Sequence, residues 1–484
     1  MRLLRLFLLC GTFVAAVLVS ACAETTTGSQ GDESPVQEGE VVTPTPAATA
    51  SPTLPVSTPP VSAPEQPVPP PSISPTPDPV PEIFPAPPVV TPPSAAQPSA
   101  SPCPANRTEL PPGTWGAPDV LLNVASQSAV VHGDLVTSAG SGLCGALLET
   151  RTQAGELKGR HYLPRGLMDY YTGIAKFPHG GFILSGMRSE APVAPQATVI
   201  HRMVVALVDE KANLIWKNDF APEGPSMQNW GYSVVTDRVG NSYVAANLNG
   251  FSVVKLNAKG ERLWTYNYAE NSGVARAIRF DADGNVVATG YVDVNLQSEF
   301  GDRDVFVIKL SPKKKIIFKH RVISPTLDHA YDLAINAAGK TWVLGWSADQ
   351  GVRFGKKTLR LPAAFLICIE PNGTRSAIID VGQGTYTARV EILPSQRILI
   401  SGSSMDSPLT SALFSPDGKV RMAEKVYANN FWNILNFMVM GTQGDVYVGL
   451  GSGTPLGQAP SYAFGSIRKL SEADLIGRLN TAAP

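Results

Sequence analysis

The chain has 484 residues and a formal net charge of −1 at pH 7, with 43 prolines and 43 glycines. This length is more than one simple domain normally needs, and a charge near zero gives no reason to expect a nucleic acid as partner. The six histidines and five cysteines are scattered along the chain, and none of their spacings indicates a metal site.

The first 21 residues are typical of an export signal. Two arginines precede an apolar stretch from Leu6 to Val19. This stretch is short for a membrane-spanning helix, which needs roughly 20 apolar residues, and it fits a cleaved secretory signal. The segment Val-Ser-Ala-Cys that ends at Cys22 resembles a bacterial lipobox.

By that resemblance, the signal over residues 1–21 is cut before Cys22, and this cysteine carries the lipid that anchors the chain to a membrane. The residue after Cys22 is Ala23 and not an aspartate. This resembles the pattern of Gram-negative lipoproteins that are sorted to the outer membrane. We therefore expect a lipid-anchored protein of the cell envelope, on the periplasmic or the surface face of the outer membrane. An ordinary signal peptide with a chance cysteine is the alternative.

Residues 22–112 differ completely in composition from the rest of the chain. They hold more than half of the prolines and few aromatic residues. Proline fixes φ and lacks a backbone donor, so we expect no packed core here but a disordered, semi-extended linker. It is either a stalk that holds a folded domain away from the membrane or a passive linker with no length requirement.

Three cysteines remain beyond the signal and Cys22. Cys103 and Cys144 are expected to form a disulfide in an oxidising compartment. The closed loop would have about 40 residues, which in the chain-entropy model contributes roughly 3–4 kcal/mol. Cys368 lies in an apolar run and is expected to be a buried free thiol.

Two kinds of tight turn alternate strictly after residue 113. The first kind recurs at 132–134, 179–181, 239–241, 283–285, 338–340, 395–397 and 443–445. The second kind recurs at 152–155, 209–212, 257–260, 311–314, 370–373, 415–418 and 471–474. The clearest unit pair is predicted to contain strands Ser252–Leu256, Arg262–Tyr266, Ala275–Phe280 and Val286–Gly290. Seven turns of each kind, with a period of about 50 residues, predict seven units of four short strands.

A repeat of four strands that cannot bury itself is typical of a propeller blade. A parallel β-helix would have a shorter period, and an immunoglobulin-like array needs about 100 residues per unit. The prediction is an all-β fold: a seven-bladed β-propeller of four-stranded antiparallel blades over residues 113–484. A disordered proline-rich tether and a lipoprotein signal peptide precede it.

The segments Val305–Pro312 and Ala277–Gly290, with the Gly-x-x-Leu-Trp around Trp264, resemble bacterial β-propeller repeats of the SBBP type. The resemblance implies that the first strand of each unit is the innermost, and that seven whole blades fit between about 126 and 480. A leftover strand over Asp119–Val124 is then free to lie on the last blade and close the ring. Trp216 and Trp264 resemble the docking tryptophans of quinoprotein-type propellers, and we interpret them as packing residues between blades rather than as cofactor contacts.

Strand alternation places all the tight turns on one face of such a ring and the longer connections on the other, which we call the loop face. Binding residues concentrate on loops of this kind. Several units carry polar and aromatic residues at the point where the first strand begins, and these are predicted to rim the channel. The candidate binding residues are Asp169, Tyr170, Trp230, Asp328, His329, Tyr331, Tyr386 and Trp432. The alternative is that these side chains wedge between adjacent blades.

No catalytic motif stands out in the sequence. The segment Asp281–Asn285 resembles the start of a calcium loop, but Val292 occupies the position of the required glutamate, so a hairpin turn is the better interpretation. We expect a non-catalytic binding or scaffold module with no cofactor, whose partner is a protein or an envelope polymer. The alternatives are a hydrolase, lyase or quinoprotein that uses the central channel, and an accessory factor in outer-membrane protein assembly.

Overall fold

A computed structural model describes residues 120–477, with gaps at 123, 143–144, 165, 191–198, 222–228, 269–271, 296–301, 323–327, 348–352, 355–356, 359–362, 384–386, 405–406, 428–431 and 454–463. The predicted signal and tether lie outside the described residues, and so do Cys22, Cys103, Cys144 and Tyr386. The predicted lipid anchor and disulfide therefore remain predictions.

The described strands form seven four-stranded antiparallel sheets, which we number as blades in chain order. Blades 1 to 3 comprise β2 (Val124–His132), β3 (Leu135–Gly142), β4 (Gly145–Thr152) and β5 (Leu157–Tyr162); β6 (Tyr170–Lys176), β7 (Phe182–Glu190), β8 (Ile200–Val208) and β9 (Leu214–Phe220); β10 (Trp230–Thr236), β11 (Ser242–Asn247), β12 (Phe251–Leu256) and β13 (Arg262–Asn267). Blades 4 and 5 comprise β14 (Gly273–Phe280), β15 (Val286–Asn295), β16 (Asp302–Leu310) and β17 (Ile316–Val322); β18 (Asp328–Ile335), β19 (Thr341–Ser347), β22 (Ala363–Ile369) and β23 (Arg375–Gln383). A hairpin of β20 (Arg353–Phe354) and β21 (Lys357–Thr358) lies between β19 and β22 in the chain.

The last two blades complete the ring. Blade 6 comprises β24 (Thr387–Ile392), β25 (Ile398–Ser404), β26 (Ser407–Phe414) and β27 (Arg421–Tyr427), and blade 7 comprises β28 (Trp432–Met440), β29 (Val446–Gly453), β30 (Phe464–Leu470) and β1 (Val120–Leu122). The first strands of successive blades contact one another in a cycle that returns from β28 to β2. The protein is therefore a seven-bladed β-propeller, with the first strand of each blade innermost, as predicted.

The ring is closed by the two ends of the propeller. Strand β1 pairs antiparallel with β30, with Val120 opposite Ile467 and Leu122 opposite Gly465. The prediction that a leftover N-terminal strand latches the last blade is confirmed. The expectation of seven whole blades between 126 and 480 is wrong for blade 7. After β30 the chain forms helix α1 (Glu472–Gly477) instead of a fourth strand, because a serine followed by acidic and helix-forming residues favours a helix start.

Apolar side chains from adjacent blades meet between the sheets and form the core. Phe251 of blade 3 contacts Phe306 of blade 4 edge to face, with ring centroids 4.9 Å apart. Cys368, buried in the core between blades 5 and 6, is a free cysteine, as predicted. None of the helices in the described part of the chain has the length and apolarity to cross a membrane.

Aromatic side chains of the outer strands bind the tight turns of the next blade. The Trp216 indole donates to the carbonyl oxygen of Ala258 at 3.1 Å, and the Trp264 indole donates to that of Pro312 at 3.2 Å. Gly260 has φ +84° and lies directly under Trp216. These contacts agree with the interpretation of both tryptophans as packing residues between blades.

Six of the seven inner strands carry a β-bulge at the same place, near the end of the strand that lies at the loop face. The bulged residues are Gln127, Thr172, Tyr232, Arg276, Tyr331 and Asn436. A bulge inserts one unpaired residue and re-aims its side chain. In blades 1, 2, 4 and 5 the residue before the bulge pairs with a glycine, for example Ala275 with Gly290. A Cβ on Gly290 would be 1.8 Å from the carbonyl oxygen of Val274, so the strands approach this closely only because the glycine has none.

Candidate functional site

A cavity of about 490 Å³ lies on the axis of the ring, and the inner strands of all seven blades line it. Its charged lining residues are Lys176, Arg276, Arg279, Asp332, Arg389 and Glu391. Four cationic side chains against two carboxylates make this channel net positive. The bulged residues Thr172, Tyr232, Arg276, Tyr331 and Asn436 all line it, so the bulges determine which side chains face the axis.

Arg276 lies inside a cage of three tyrosine rings. Its guanidinium carbon is 5.4 Å from the ring centroid of Tyr232, 5.8 Å from that of Tyr291 and 5.4 Å from that of Tyr331. A cation in this position is attracted by the ring faces. The Arg276 guanidinium forms a side-chain hydrogen bond with Tyr291, and its Nε atom has no hydrogen-bond partner. Within the described part of the chain, no carboxylate forms an ion pair with Arg276, whereas Arg279 pairs with Asp332. The cage therefore presents a positive charge whose usual counter-ion is missing from the described residues.

The other channel arginines bind groups of neighbouring blades. Arg279 lies 3.4 Å from the Asp332 carboxylate and 3.9 Å from that of Glu391, which joins blades 4, 5 and 6. Arg389 donates to the backbone carbonyl of Asn436 at 2.7 Å and so joins blade 6 to blade 7. These contacts hold neighbouring blades together. Neither Arg276 nor Arg389 has an ion-paired carboxylate among the described residues, and of these two Arg276 is the one that lies in the tyrosine cage.

The pKa of Glu391 is raised to about 7, because burial outweighs the opposing effect of Arg279 and the nearby Asp332 adds to the rise. In the unfolded chain this pKa is about 4.5. Between these two values the folded state keeps a proton that the unfolded state has lost. The contribution of Glu391 to stability therefore falls as the pH rises through this window, by about 3 kcal/mol in all.

Glu391→Gln should remove this pH dependence. We expect the difference in free energy of unfolding, variant minus wild type, to grow as the pH rises from about 4.5 to about 7 and then to level off. Urea unfolding at a series of pH values measures it. Glu210→Gln is the control, because a side-chain hydrogen bond from Lys176 lowers the pKa of Glu210. For this variant, the difference in free energy of unfolding should change with pH in the opposite direction. A difference for Glu391→Gln that stays constant or shrinks would contradict the assignment.

His329 is a buried, neutral imidazole that orders Arg303. Its ring stacks on Tyr291 with centroids 4.4 Å apart, and its Nε2 accepts a hydrogen bond from Arg303 at 2.9 Å. Burial, followed by the charges of Arg276 and Arg303, lowers the pKa of His329 well below its usual value. The other side of the Arg303 guanidinium donates to Asp293 at 2.7 Å.

Stacked rings extend the site from blade 4 back to blade 2. Trp230 stacks on Tyr170 and on Tyr232, with centroids 6.0 Å apart in both pairs. We call this continuous set the aromatic arc. It consists of Tyr170, Trp230, Tyr232, Arg276, Tyr291, Arg303, His329 and Tyr331. All eight members are partly or fully buried, and the arc lies at the loop-face end of the inner strands.

Four of the candidate binding residues lie in the aromatic arc: Tyr170, Trp230, His329 and Tyr331. Two others lie outside it. Asp169 is exposed, and its carboxylate accepts a hydrogen bond from the backbone N–H of Ser189 at 2.6 Å, whereas Asp328 is fully buried. Tyr386 and the side chain of Trp432 fall outside what the structure describes.

Sequence reasoning missed Arg276, Tyr291 and Arg303. The register of the repeats contained one usable signal for Arg276, because it occupies the position of Tyr232 and Tyr331 in the neighbouring units. Tyr291 and Arg303 come from strands β15 and β16, which extend further towards the loop face than predicted. The predicted strand Val286–Gly290 is thus shorter than the observed β15, which continues to Asn295.

The chemistry that this arrangement supports is the binding of an anion. The guanidinium group of Arg276 supplies directional donors, and the surrounding rings exclude water around it, which strengthens electrostatic contacts. Among the described residues, no group of three histidine, cysteine or acidic side chains lies close enough together to hold a metal ion.

No protein-family model and no curated protein sequence matches the chain. Among solved structures, it is similar to the polysaccharide lyase Uly1, with 10% identity and a TM-score of 0.46 over 72% of this chain and 90% of that one. It is also similar to the Dos1 propeller, with 9% identity and a TM-score of 0.44 over 72% and 92%, and to a protein of unknown function from Dyadobacter fermentans, with 11% identity and a TM-score of 0.41 over 63% and 96%. These likenesses are too distant to carry an argument about function, and the fold assignment stands on the strand topology.

Proposed function

We propose that the protein is an exported, lipid-anchored propeller. It binds an anionic partner at the loop-face mouth of its channel and does not catalyse a reaction. The observation that carries this proposal is Arg276, a channel-lining guanidinium in a cage of three tyrosine rings with no carboxylate of the described residues paired to it. A carboxylate, sulfate or phosphate of a protein or an envelope polymer would supply the missing counter-charge.

The location of the protein forms part of the proposal. The lipobox-like segment before Cys22 supports a lipid anchor in the outer membrane, and the proline-rich residues 22–112 support a tether between anchor and propeller. The resemblance of the repeats to the SBBP type fits the same proposal, since that resemblance implies a propeller and says nothing of an activity.

Catalysis in the channel has less support. A general base must be free to take a proton, but the Nε2 atom of His329 accepts from Arg303. Burial raises the pKa of Tyr232 and of Tyr331, so both phenols stay protonated at neutral pH and cannot act as general bases. A hydrolase, a lyase or a quinoprotein would need a reacting group that the aromatic arc does not offer in this arrangement.

The test is a pull-down from envelope extracts with the full chain, in which wild type is compared with Arg276→Gln. We expect the variant to bind the recovered partner at least about tenfold more weakly, because a hydrogen bond to a charged group contributes roughly 1.5–3 kcal/mol. We expect its melting temperature to fall only slightly, because the variant loses the cation–π contacts with the three rings but keeps a side chain that can form hydrogen bonds.

Arg238→Gln is the matched control, since Arg238 is exposed on the turn between β10 and β11 and does not line the channel. Equal recovery by wild type and Arg276→Gln, or equal losses for both variants, would overturn the proposed site. Cys22→Ser tests the anchor separately, and unchanged partition of this variant into membranes would contradict it.

A further inference from the structure

A second cavity, of about 570 Å³, lies on the loop face away from the channel. The ends of β9 and β13 and the turn between β11 and β12 line it, so it lies between blades 2 and 3. It shares no described lining residue with the channel cavity. Its polar lining side chains include Asn218, Asp219, Asn229, Asn249, Arg262 and Thr265.

Three buried polar atoms in this lining have no hydrogen-bond partner among the residues that the structure describes. They are Oδ1 of Asp219, Oδ1 of Asn229 and Oγ1 of Thr265. The orientation of the Asn229 side chain is fixed by a hydrogen bond, since its amide nitrogen donates to the Phe220 carbonyl oxygen at 3.4 Å. The residue is only 1% exposed. Buried polar atoms are nearly always hydrogen-bonded in native proteins. Three exceptions in one cavity therefore indicate a ligand that supplies their partners.

The charge of Asp219 is already balanced by protein groups. Its Oδ2 atom lies 3.1 Å from the Arg188 guanidinium and 3.1 Å from the Lys217 ammonium. The remaining oxygen is an acceptor that needs a donor but no additional cation. The Oδ1 atom of Asn229 is a second acceptor and belongs to a neutral amide, and the Thr265 hydroxyl both donates and accepts.

We propose that this cavity binds a neutral saccharide. Hydroxyl groups donate to the free oxygens of Asp219 and Asn229 and accept from Thr265 and from the surrounding amide and guanidinium groups. The volume of about 570 Å³ lies within the usual range of small-molecule sites, roughly 300–1,000 Å³. The site is independent of Arg276 and of the anionic partner proposed for the channel.

The test uses Thr265→Val in the full chain. Valine has nearly the same shape as threonine, and the hydroxyl that it removes has no partner in the described protein, so the melting temperature should stay the same or rise. We expect binding of the saccharide to weaken at least about fivefold, the equivalent of one lost hydrogen bond. Asn249→Gly is a second variant that should fold, because Asn249 has φ +58°, which glycine adopts without strain.

Saturation-transfer NMR with cellobiose, maltose, lactose and chitobiose at millimolar concentration measures binding, and arginine amide serves as a cationic probe. Ser242→Ala is the matched control, because its buried hydroxyl also lacks a partner but does not line this cavity. Arg276→Gln should leave saccharide binding unchanged, which separates this site from the channel. Binding of arginine amide alone, binding of none of the probes, or equal binding by Thr265→Val and wild type would overturn the proposal.

Discussion

A chain that ends at residue 463 is expected to lose the cooperative unfolding of the propeller. The change removes β30, which pairs with β29 on one side and with β1 on the other. Without β30, strand β1 has no partner, and blade 7 keeps only two of its four strands. A ring of blades owes its stability to closure, since closure leaves no exposed interface between blades.

The loss should extend beyond blade 7. Leu470 of β30 is buried against Val446 and Val448, and this cluster also contains Leu399 and Leu413 of blade 6. On the other side, the Tyr447 hydroxyl donates to the Gln153 carbonyl of blade 1 at 2.9 Å. We expect a broad thermal transition and strong binding of a hydrophobic dye in place of one cooperative step.

The matched control deletes residues 61–81 from the proline-rich segment, which removes the same number of residues as the truncation. This deletion should leave the thermal transition unchanged, because the composition of the segment predicts no packed core and hence no contribution to the packing of the ring. A truncated chain that melts as cooperatively as wild type would mean that the ring closes by other contacts.

The repeat architecture was predictable because its signals are local. Turns such as Asn257–Gly260 and Asp281–Gly284 are set by residues within one hairpin, and both glycines have positive φ, +84° and +77°. The strands beside them alternate in side-chain direction, and the recurrence of the two turns gave the period and the number of units. The innermost position of the first strand came from the resemblance to SBBP-type repeats.

The closing strand was harder to place. β1 has only three residues, and its partner β30 lies at the far end of the chain, so no local pattern specifies the pairing. The helix α1 then takes the place where the repeat predicts another strand. Capping by a serine and the good helix formers after it prevail over the repeat at this one position.

The site was predictable only in part, and the bulges are the reason. Polar and aromatic residues at the strand starts pointed to Tyr170, Trp230, His329 and Tyr331. The direction of Arg276, however, depends on a register shift between β14 and β15 that sequence alone does not reveal. In the sequence, Arg276 looks like an ordinary paired residue of a β-strand. It faces the channel because β14 contains one extra residue at this point and the neighbouring β15 contains Gly290.

Gly290→Ala is therefore expected to be among the most destabilising single substitutions in the protein. The added Cβ would lie 1.8 Å from the Val274 carbonyl oxygen and 3.0 Å from the Ala275 Cα, both of them backbone atoms of the inner strand. Backbone in the middle of a sheet cannot move away without breaking ladder hydrogen bonds. We expect a loss of at least about 3 kcal/mol in the free energy of unfolding, the upper end for overpacked sites.

The added methyl group should also disturb the bulge at Arg276 in those molecules that still fold. We therefore expect the folded variant to bind the channel partner more weakly than folded wild type. Gly284→Ala is the matched control, because a Cβ there meets nothing within 4 Å and only its φ of +77° is unfavourable. It should cost about 1–2 kcal/mol. Urea unfolding of both variants decides the matter. If Gly290→Ala is no less stable than Gly284→Ala, strands β14 and β15 have room for a side chain, and the glycine is not what aims Arg276 at the channel.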